Sequence, residues 1–111
     1  MDKAKQVAVT DEQILSILKL SDLPEVRSVE VRQATGQRIG IGIHTVVDAD
    51  ISPVIAAFES IVPGVEIQAE EPYEMTRHDG RRELIQVYGF DCYPTLSVGI
   101  FEKKGMGEAS A

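Results

Sequence analysis

The chain is poor in cysteine, in aromatic side chains and in positive charge. Its 111 residues include one cysteine, Cys92, no tryptophan, and 5% aromatic residues. A single cysteine cannot form an internal disulfide, so nothing indicates an oxidising compartment. The N-terminal segment also lacks the apolar run of a signal peptide, and we therefore expect a cytoplasmic protein. With so few aromatics, the core must be built mainly of valine, isoleucine, leucine and alanine.

Basic residues are outnumbered by acidic ones. There are 11 lysines and arginines against 18 aspartates and glutamates, which gives a net charge of −7. Such a surface repels phosphate backbones and anionic lipids, so we expect neither a nucleic acid nor a membrane as partner. It would suit a basic protein partner.

Two segments carry the signals of helices. Residues 11–20 follow Thr10, a candidate N-cap, and Gln13 completes a capping box with it. A second helix is predicted within "DADISPVIAAFESIVPG", with Ser52 as N-cap and a proline at the first helical position. Pro63-Gly64 ends that helix.

Alternation of apolar and polar residues predicts about five strands. "RSVEVRQATGQRIGIGIHTVV" is typical of a hairpin with its turn near Thr35-Gly36, and "VEIQAEEPYEM" begins as a strand that Pro72 interrupts. Asp79-Gly80 indicates a two-residue hairpin turn. The segments "ELIQVYGF" and "YPTLSVGIFEK" are two further strands.

The element order α-β-β-α-β-β-β predicts one α+β domain over residues 1–111. We expect a two-layer sandwich in which both helices pack on one face of a mostly antiparallel sheet. Residues 1–9 and 104–111 are expected to be frayed.

The segment "RIGIGIHT" places glycines at alternate positions of a strand. Glycine weakens a strand, so Gly40 and Gly42 need a reason. The segment "LSVGIF" repeats the pattern with Ser97 and Gly99. If the two strands are neighbours, these four residues form a surface without large side chains, which we call the small-residue patch. Aromatic and histidine side chains predicted to surround it are His44, Tyr88, Phe90 and Phe101.

Three interpretations of the small-residue patch are open. The glycines admit a closely packed helix or loop; or the patch is a contact between two subunits; or it forms a pocket for a small molecule.

The only concentration of positive charge in the sequence surrounds the predicted Asp79-Gly80 turn. Its members are Arg77, His78, Arg81 and Arg82. They suit an anion or a carboxylate-bearing partner, or they are a solvated hairpin tip that blocks aggregation. In a dimer, this tip would meet the acidic residues Glu66, Glu70, Glu71 and Glu74 of a second copy.

Metal and catalytic chemistry have weak signals. His44, Asp48 and Asp50 are close in sequence, but the two aspartates stand where helix caps belong, and we predict neither a metal nor a cofactor. No catalytic residue is predicted, although His44 with Asp91 or Cys92 is an enzymatic alternative.

The first two thirds of the chain, ending in "SIVPGVEIQ", resemble the small α/β domains of iron–sulfur assembly proteins in element order and in "PGVE". The cytosolic domains of cation-efflux transporters have related elements. The metal-binding cysteine of the assembly domains has no counterpart before the second helix, so the resemblance implies no function here.

The sequence thus predicts a small acidic binding protein without catalysis, homodimeric and accessory or regulatory. The alternatives are a small-molecule or anion-binding domain that uses the small-residue patch, and the small enzyme named above.

Overall fold

Two α-helices and six strands form the described part of the chain. The structure is a computed structural model that describes residues 9–33, 39–65, 67–92 and 96–108. In chain order the elements are α1 (Asp11–Leu18), a 3-10 helix (Lys19–Asp22), β1 (Val26–Gln33), β2 (Ile39–Thr45), α2 (Ser52–Ile61), β3 (Gln68–Ala69), β4 (Tyr73–Thr76), β5 (Arg81–Cys92) and β6 (Leu96–Glu108). The predicted α+β class is confirmed, with one strand more than expected.

The predicted helix starts are confirmed, one of them with a shift. The Thr10 side chain accepts from the backbone N–H of Gln13, and the Gln13 side chain accepts from the Thr10 N–H at 2.8 Å, so the capping box is present. Gln13 Nε2 also donates to the carbonyl of Ile61 at 2.9 Å and ties the start of α1 to the end of α2. Ser52 is the first residue of α2 instead of its cap, because the Asp50 carboxylate accepts from the Ser52 N–H at 3.0 Å.

The sheet is mixed, with one parallel pair. Its order is β1-β2-β6-β5-β3, and β4 also pairs with β5. Strands β2 and β6 run parallel, and the other pairs are antiparallel. The predicted third strand is divided into β3 and β4, which flank Pro72 and follow the same edge of β5. A proline in this stretch is tolerated because the strand is at a sheet edge.

The hydrophobic core lies between the helices and one face of the sheet. Ile17 of α1 and Phe58 of α2 are fully buried against alternate residues of the strands, among them Ile43 and Ile100. The rings of Phe58 and Phe90 are 4.1 Å apart between centroids. Both helices therefore occupy the same face, as predicted. The opposite face of the sheet, which we call the open face, carries no helix of the described ranges.

The turn between β4 and β5 is where the sequence places it but is of another type. The Arg77 carbonyl accepts from the Gly80 N–H at 2.9 Å, and the Arg77 N–H donates to the carbonyl of Arg81 at 2.7 Å. Gly80 has a φ of +91°, in the left-handed region. This is a three-residue hairpin loop with a glycine bulge, not the two-residue turn predicted.

The end of the chain departs from its prediction. Strand β6 continues to Glu108 along β5, so the expected fraying from residue 104 is wrong up to that point. The predicted turn near Thr35-Gly36 and residues 1–8 lie outside the described residues. None of the helices described is long and apolar enough to cross a membrane.

Candidate binding site on the open face

The small-residue patch is a continuous surface. In the parallel pair, Gly42 lies opposite Gly99 and Gly40 lies opposite Ser97. Gly99 also lies opposite Gly89 of β5, so three glycines form a row across three neighbouring strands. Because directly paired residues point to the same side of a sheet, all of them belong to the open face.

Two rings of the sheet itself cover part of this patch. A Cβ atom built on Gly42 or Gly99 would be 3.5 Å from Cε1 of Phe101. The imidazole of His44 stacks on that ring, with centroids 4.6 Å apart and planes 15° from parallel. The close approach that these glycines allow is therefore made by the rings of Phe101 and His44. Among the residues that the structure describes, no helix packs on the patch, and packing by a loop stays a prediction.

Only two of the four predicted surrounding side chains lie beside the patch. His44 and Phe101 do. Phe90 is 2% exposed within the core. Tyr88 packs against the core on the helix side, where its hydroxyl donates to Glu102 at 3.2 Å and burial raises the pKa of the phenol. The prediction placed β5 with the wrong side outward, and an error of one residue exchanges the two faces of a strand.

A cavity of about 330 Å³ opens beside the His44–Phe101 pair. Its apolar lining is contributed by Tyr73, Ile85 and Phe101, together with Met75. Strand register puts Ile85 between Tyr73 of β4 and the β6 segment that follows Phe101. The same cavity is also lined by residues of β1, so its lining extends across the open face from β4 to β1.

Three cations line this cavity in an acidic chain. They are Arg27 of β1, Arg77 at the end of β4, and Lys103 of β6. Glu30 lines it too, and the nearby Glu83, which is 5% exposed, accepts from Arg77 Nε at 2.9 Å. Burial lowers the pKa of Lys103, and the charges of Arg77 and Arg27 lower it further, against the opposing effect of the two glutamates. Positive charge is therefore crowded here.

His44 forms the boundary between the patch and the cavity. Its Nε2 is 3.6 Å from Oε1 of Glu30. Burial lowers the pKa of His44, as does the charge of Lys103, while Glu30 acts in the opposite direction. Together these effects lower the pKa of His44 and favour the neutral imidazole, which offers one N–H donor and one acceptor nitrogen.

The predicted basic cluster at the hairpin tip does not form one site. Arg77 reaches the open face. Arg82 donates to Glu74 at 2.7 Å on the other side of the sheet, and Arg81 and His78 are exposed. The predicted dimer contact between this tip and the acidic residues of a second copy included Glu74. In the structure, Glu74 is instead paired with Arg82 of its own chain. Glu66 lies outside the described residues.

The two aspartates near His44 have structural roles. The carboxylate of Asp50 accepts a hydrogen bond from the N–H of Ser52, the first residue of α2. The prediction that Asp50 caps this helix is therefore confirmed. Asp48, at a φ of +67°, accepts from the Gly105 N–H at 3.0 Å and donates its own N–H to the carbonyl of Lys103 at 2.7 Å. In the described part of the chain, no three histidine, cysteine, aspartate or glutamate side chains are grouped so as to hold a metal ion.

Strand pairing separates His44 from Asp91 and Cys92, the residues that the enzymatic alternative combines with it. Asp91 and Cys92 pair with β6 four and five residues before Phe101, the neighbour of His44. Four residues of strand span about 13 Å. The side chains of Asp91 and Cys92 lie outside the described part of the structure.

Sequence reasoning missed two of the three cations. Lys103 follows Gly99 and Phe101 at the strand period of two, which is a signal that places it on the open face. Arg27 lies at the point where the β1–β2 register shifts, between Val26 and Ser28. No local sequence pattern predicts this irregularity.

No family model, curated protein or solved structure matches this chain. The function is therefore inferred from the cavity of the open face.

Proposed function

We propose that this chain is a non-catalytic, cytoplasmic binding protein that takes a small organic anion in the cavity of its open face. The observation that carries the proposal is the meeting of Arg27, Arg77 and Lys103 around one apolar surface. The protein as a whole has a net charge of −7, so general electrostatics do not account for a local concentration of cations. An anion bound there would relieve their mutual repulsion.

Each part of the cavity has a chemical partner in such a ligand. Guanidinium and ammonium groups form strong, charge-assisted hydrogen bonds with carboxylates and phosphates. Tyr73 and Met75 are 46% and 45% exposed, and a ligand body lying on Ile85 would remove them from water. Burial of apolar surface favours binding by about 25 cal/mol per Å². The volume of about 330 Å³ is at the small end of ligand sites, which span roughly 300–1,000 Å³.

The proposal is tested by comparing organic acids with their neutral amides as ligands of the full chain. We expect the acids to raise Tm and the amides to leave it unchanged. At a concentration of about 100 times Kd, a bound ligand stabilises a protein by about 2.7 kcal/mol. Equal effects of acids and amides, or no effect of any acid, would refute an anion site.

Three variants locate the binding. Lys103→Met keeps the apolar stem and removes the charge, and Arg27→Gln removes a second cation; each should weaken binding about tenfold by calorimetry. Arg82→Gln is the matched control, because Arg82 pairs with Glu74 on the other side of the sheet. If all three variants weaken binding equally, the ligand lies elsewhere.

The second candidate function is self-association of the chain through β1. This strand forms one edge of the sheet in the described ranges, and its Val31 is 57% exposed between Glu30 and Arg32. If the β1 strands of two copies pair antiparallel with Val31 opposite Val31, each Glu30 faces the Arg32 of the other copy. Such a two-fold contact joins an apolar centre to two opposite-charge pairs.

Light scattering tests this dimer by charge exchange. Glu30→Arg alone would place like charges opposite each other and yield monomers. The double variant Glu30→Arg with Arg32→Glu restores opposite charges and should restore the dimer mass. A monomeric wild-type chain at high micromolar concentration, or a dimer that survives Glu30→Arg, would exclude this contact.

A further inference from the structure

We infer that the anion taken by the open face is a small aryl monocarboxylate, a single carboxylate joined to a flat ring. This inference rests on the proposed function and names its ligand class. It follows from the charge balance of the cavity and from the side chains that line its apolar half.

The charges at the cavity favour a head group with one negative charge. Three cations, Arg27, Arg77 and Lys103, stand against two carboxylates, Glu30 and Glu83. One positive charge is thus in surplus. A carboxylate balances it, whereas a phosphate dianion would exceed it and would face Glu30 on the cavity wall. Repulsion between like charges of this kind disfavours the dianion.

Arg77 is the positioned member of the three cations. Its Nε is engaged by the buried Glu83 at 2.9 Å, which fixes the plane of the guanidinium. The two terminal nitrogens of an arginine held in this way remain donors in a planar fork, the arrangement that matches the two oxygens of a carboxylate. The contact with Glu83 thus restrains the guanidinium of Arg77.

The apolar half of the cavity favours a ring as the ligand body. Phe101 and Tyr73 contribute aromatic surface, and Met75 contributes a thioether, which makes favourable contacts with the edges of rings. Ile85, which is 3% exposed, also lines this half of the cavity. A flat ring that lies on these side chains gains such contacts, and a small aryl group fits a cavity of about 330 Å³.

The test compares four probes by calorimetry with the full chain at neutral pH. The probes are phenylacetate, acetate, phenyl phosphate and cyclohexylacetate. We expect phenylacetate to bind at least about tenfold more tightly than acetate, which lacks the body, and than phenyl phosphate, which carries the second charge. Cyclohexylacetate keeps the charge and the size but lacks a π-face, and it should bind several-fold more weakly than phenylacetate.

Variants of one wall residue check the ring contact. Tyr73→Leu should remove the preference for phenylacetate over cyclohexylacetate, and Tyr73→Phe should retain it. Because Tyr73 is 46% exposed, neither change threatens folding. Circular dichroism melting curves of both variants serve as the control for retention of the fold.

The outcomes distinguish a failure of the aryl monocarboxylate class from a failure of the anion site itself. If phenyl phosphate or acetate binds as tightly as phenylacetate, the aryl monocarboxylate class is wrong and the anion site stands. The same class is wrong if cyclohexylacetate equals phenylacetate in the wild-type chain. If none of the four probes binds, while organic acids of other shapes raise Tm, the class alone fails. If no acid of any kind binds, the proposed function fails with it.

Discussion

Gly42 and Gly99 lie directly opposite each other in the parallel pair of β2 and β6, and the ring of Phe101 lies against both. Each glycine within a strand costs about 0.5–1 kcal/mol relative to alanine. Packing of the aromatic ring across the pair offsets that cost, because the ring covers backbone that glycine leaves bare. The pairing also sets His44 beside Phe101 and so defines one wall of the cavity.

A side chain introduced at Gly42 should displace the stacked rings. A Cβ atom there would be 3.3 Å from His44 Nε2, so Gly42→Val forces the imidazole away from Phe101. We expect a loss of about 1–3 kcal/mol in the free energy of unfolding, typical of overpacking. Gly40→Val is the control, because the nearest atom, the Arg32 carbonyl oxygen, is 3.6 Å away. Urea denaturation that shows equal stability for both variants would contradict this role of the rings.

Asp48 should be replaceable by asparagine but not by alanine. Its side chain accepts from the Gly105 N–H while its backbone is left-handed, a conformation that asparagine tolerates and alanine does not. Asp48→Asn should retain wild-type stability. Asp48→Ala should lose about 2 kcal/mol, from one hydrogen bond and one strained residue. Asp48→Gly removes the hydrogen bond to the Gly105 N–H, but glycine adopts the left-handed backbone without strain. Its stability should therefore lie between those of the other two variants. A different order of the three Tm values would refute this account.

Replacement of Gln13 by glutamate should lower the stability of the fold. Its oxygen accepts from the Thr10 N–H and its nitrogen donates to the Ile61 carbonyl, and glutamate can perform only the first of these. Capping boxes accept either residue, so local helix rules predict no change for Gln13→Glu. Loss of the hydrogen bond to the Ile61 carbonyl predicts a decrease of about 1 kcal/mol in the free energy of unfolding. In a domain of this size, that decrease corresponds to a fall in Tm of several degrees. Thermal melts of the wild-type, Gln13→Glu and Gln13→Ala chains decide between the two.

Acid should destabilise the fold through His44. Because burial and Lys103 lower the pKa of His44 in the folded state, the unfolded chain takes up a proton first, near pH 6.5. The free energy of unfolding should therefore fall as the pH decreases from about 7 to the lowered pKa, and this contribution should level off below it. His44→Phe keeps a ring against Phe101 and removes the titration. The stability difference between the two chains, measured in urea at several pH values, should change across this window. A constant difference would show that His44 does not titrate differently on folding.

The local features of this protein were readable in its sequence. The capping box of Thr10 and Gln13, the place of the hairpin turn at Asp79-Gly80, and the alternation around Gly40 and Gly42 are set by residues within a few positions of one another. Their energetics depend on a short stretch of backbone, which is the reason why local patterns predict them. Two helices on one face of a mostly antiparallel sheet followed from the same patterns.

What the tertiary structure alone decided is which strands meet and which side each presents. Nothing local indicated that β2 and β6 run parallel, although this pairing brings Gly42 to Gly99. The local pattern also did not show that Phe90 faces the helices. When a strand has apolar residues on both sides, its sequence does not tell which side faces the core. Arg27 and Lys103 line one cavity although they belong to β1 and β6, which are not neighbours in the sheet. Contacts of that kind depend on how the whole sheet packs against the helices, and no short segment of the chain contains that information.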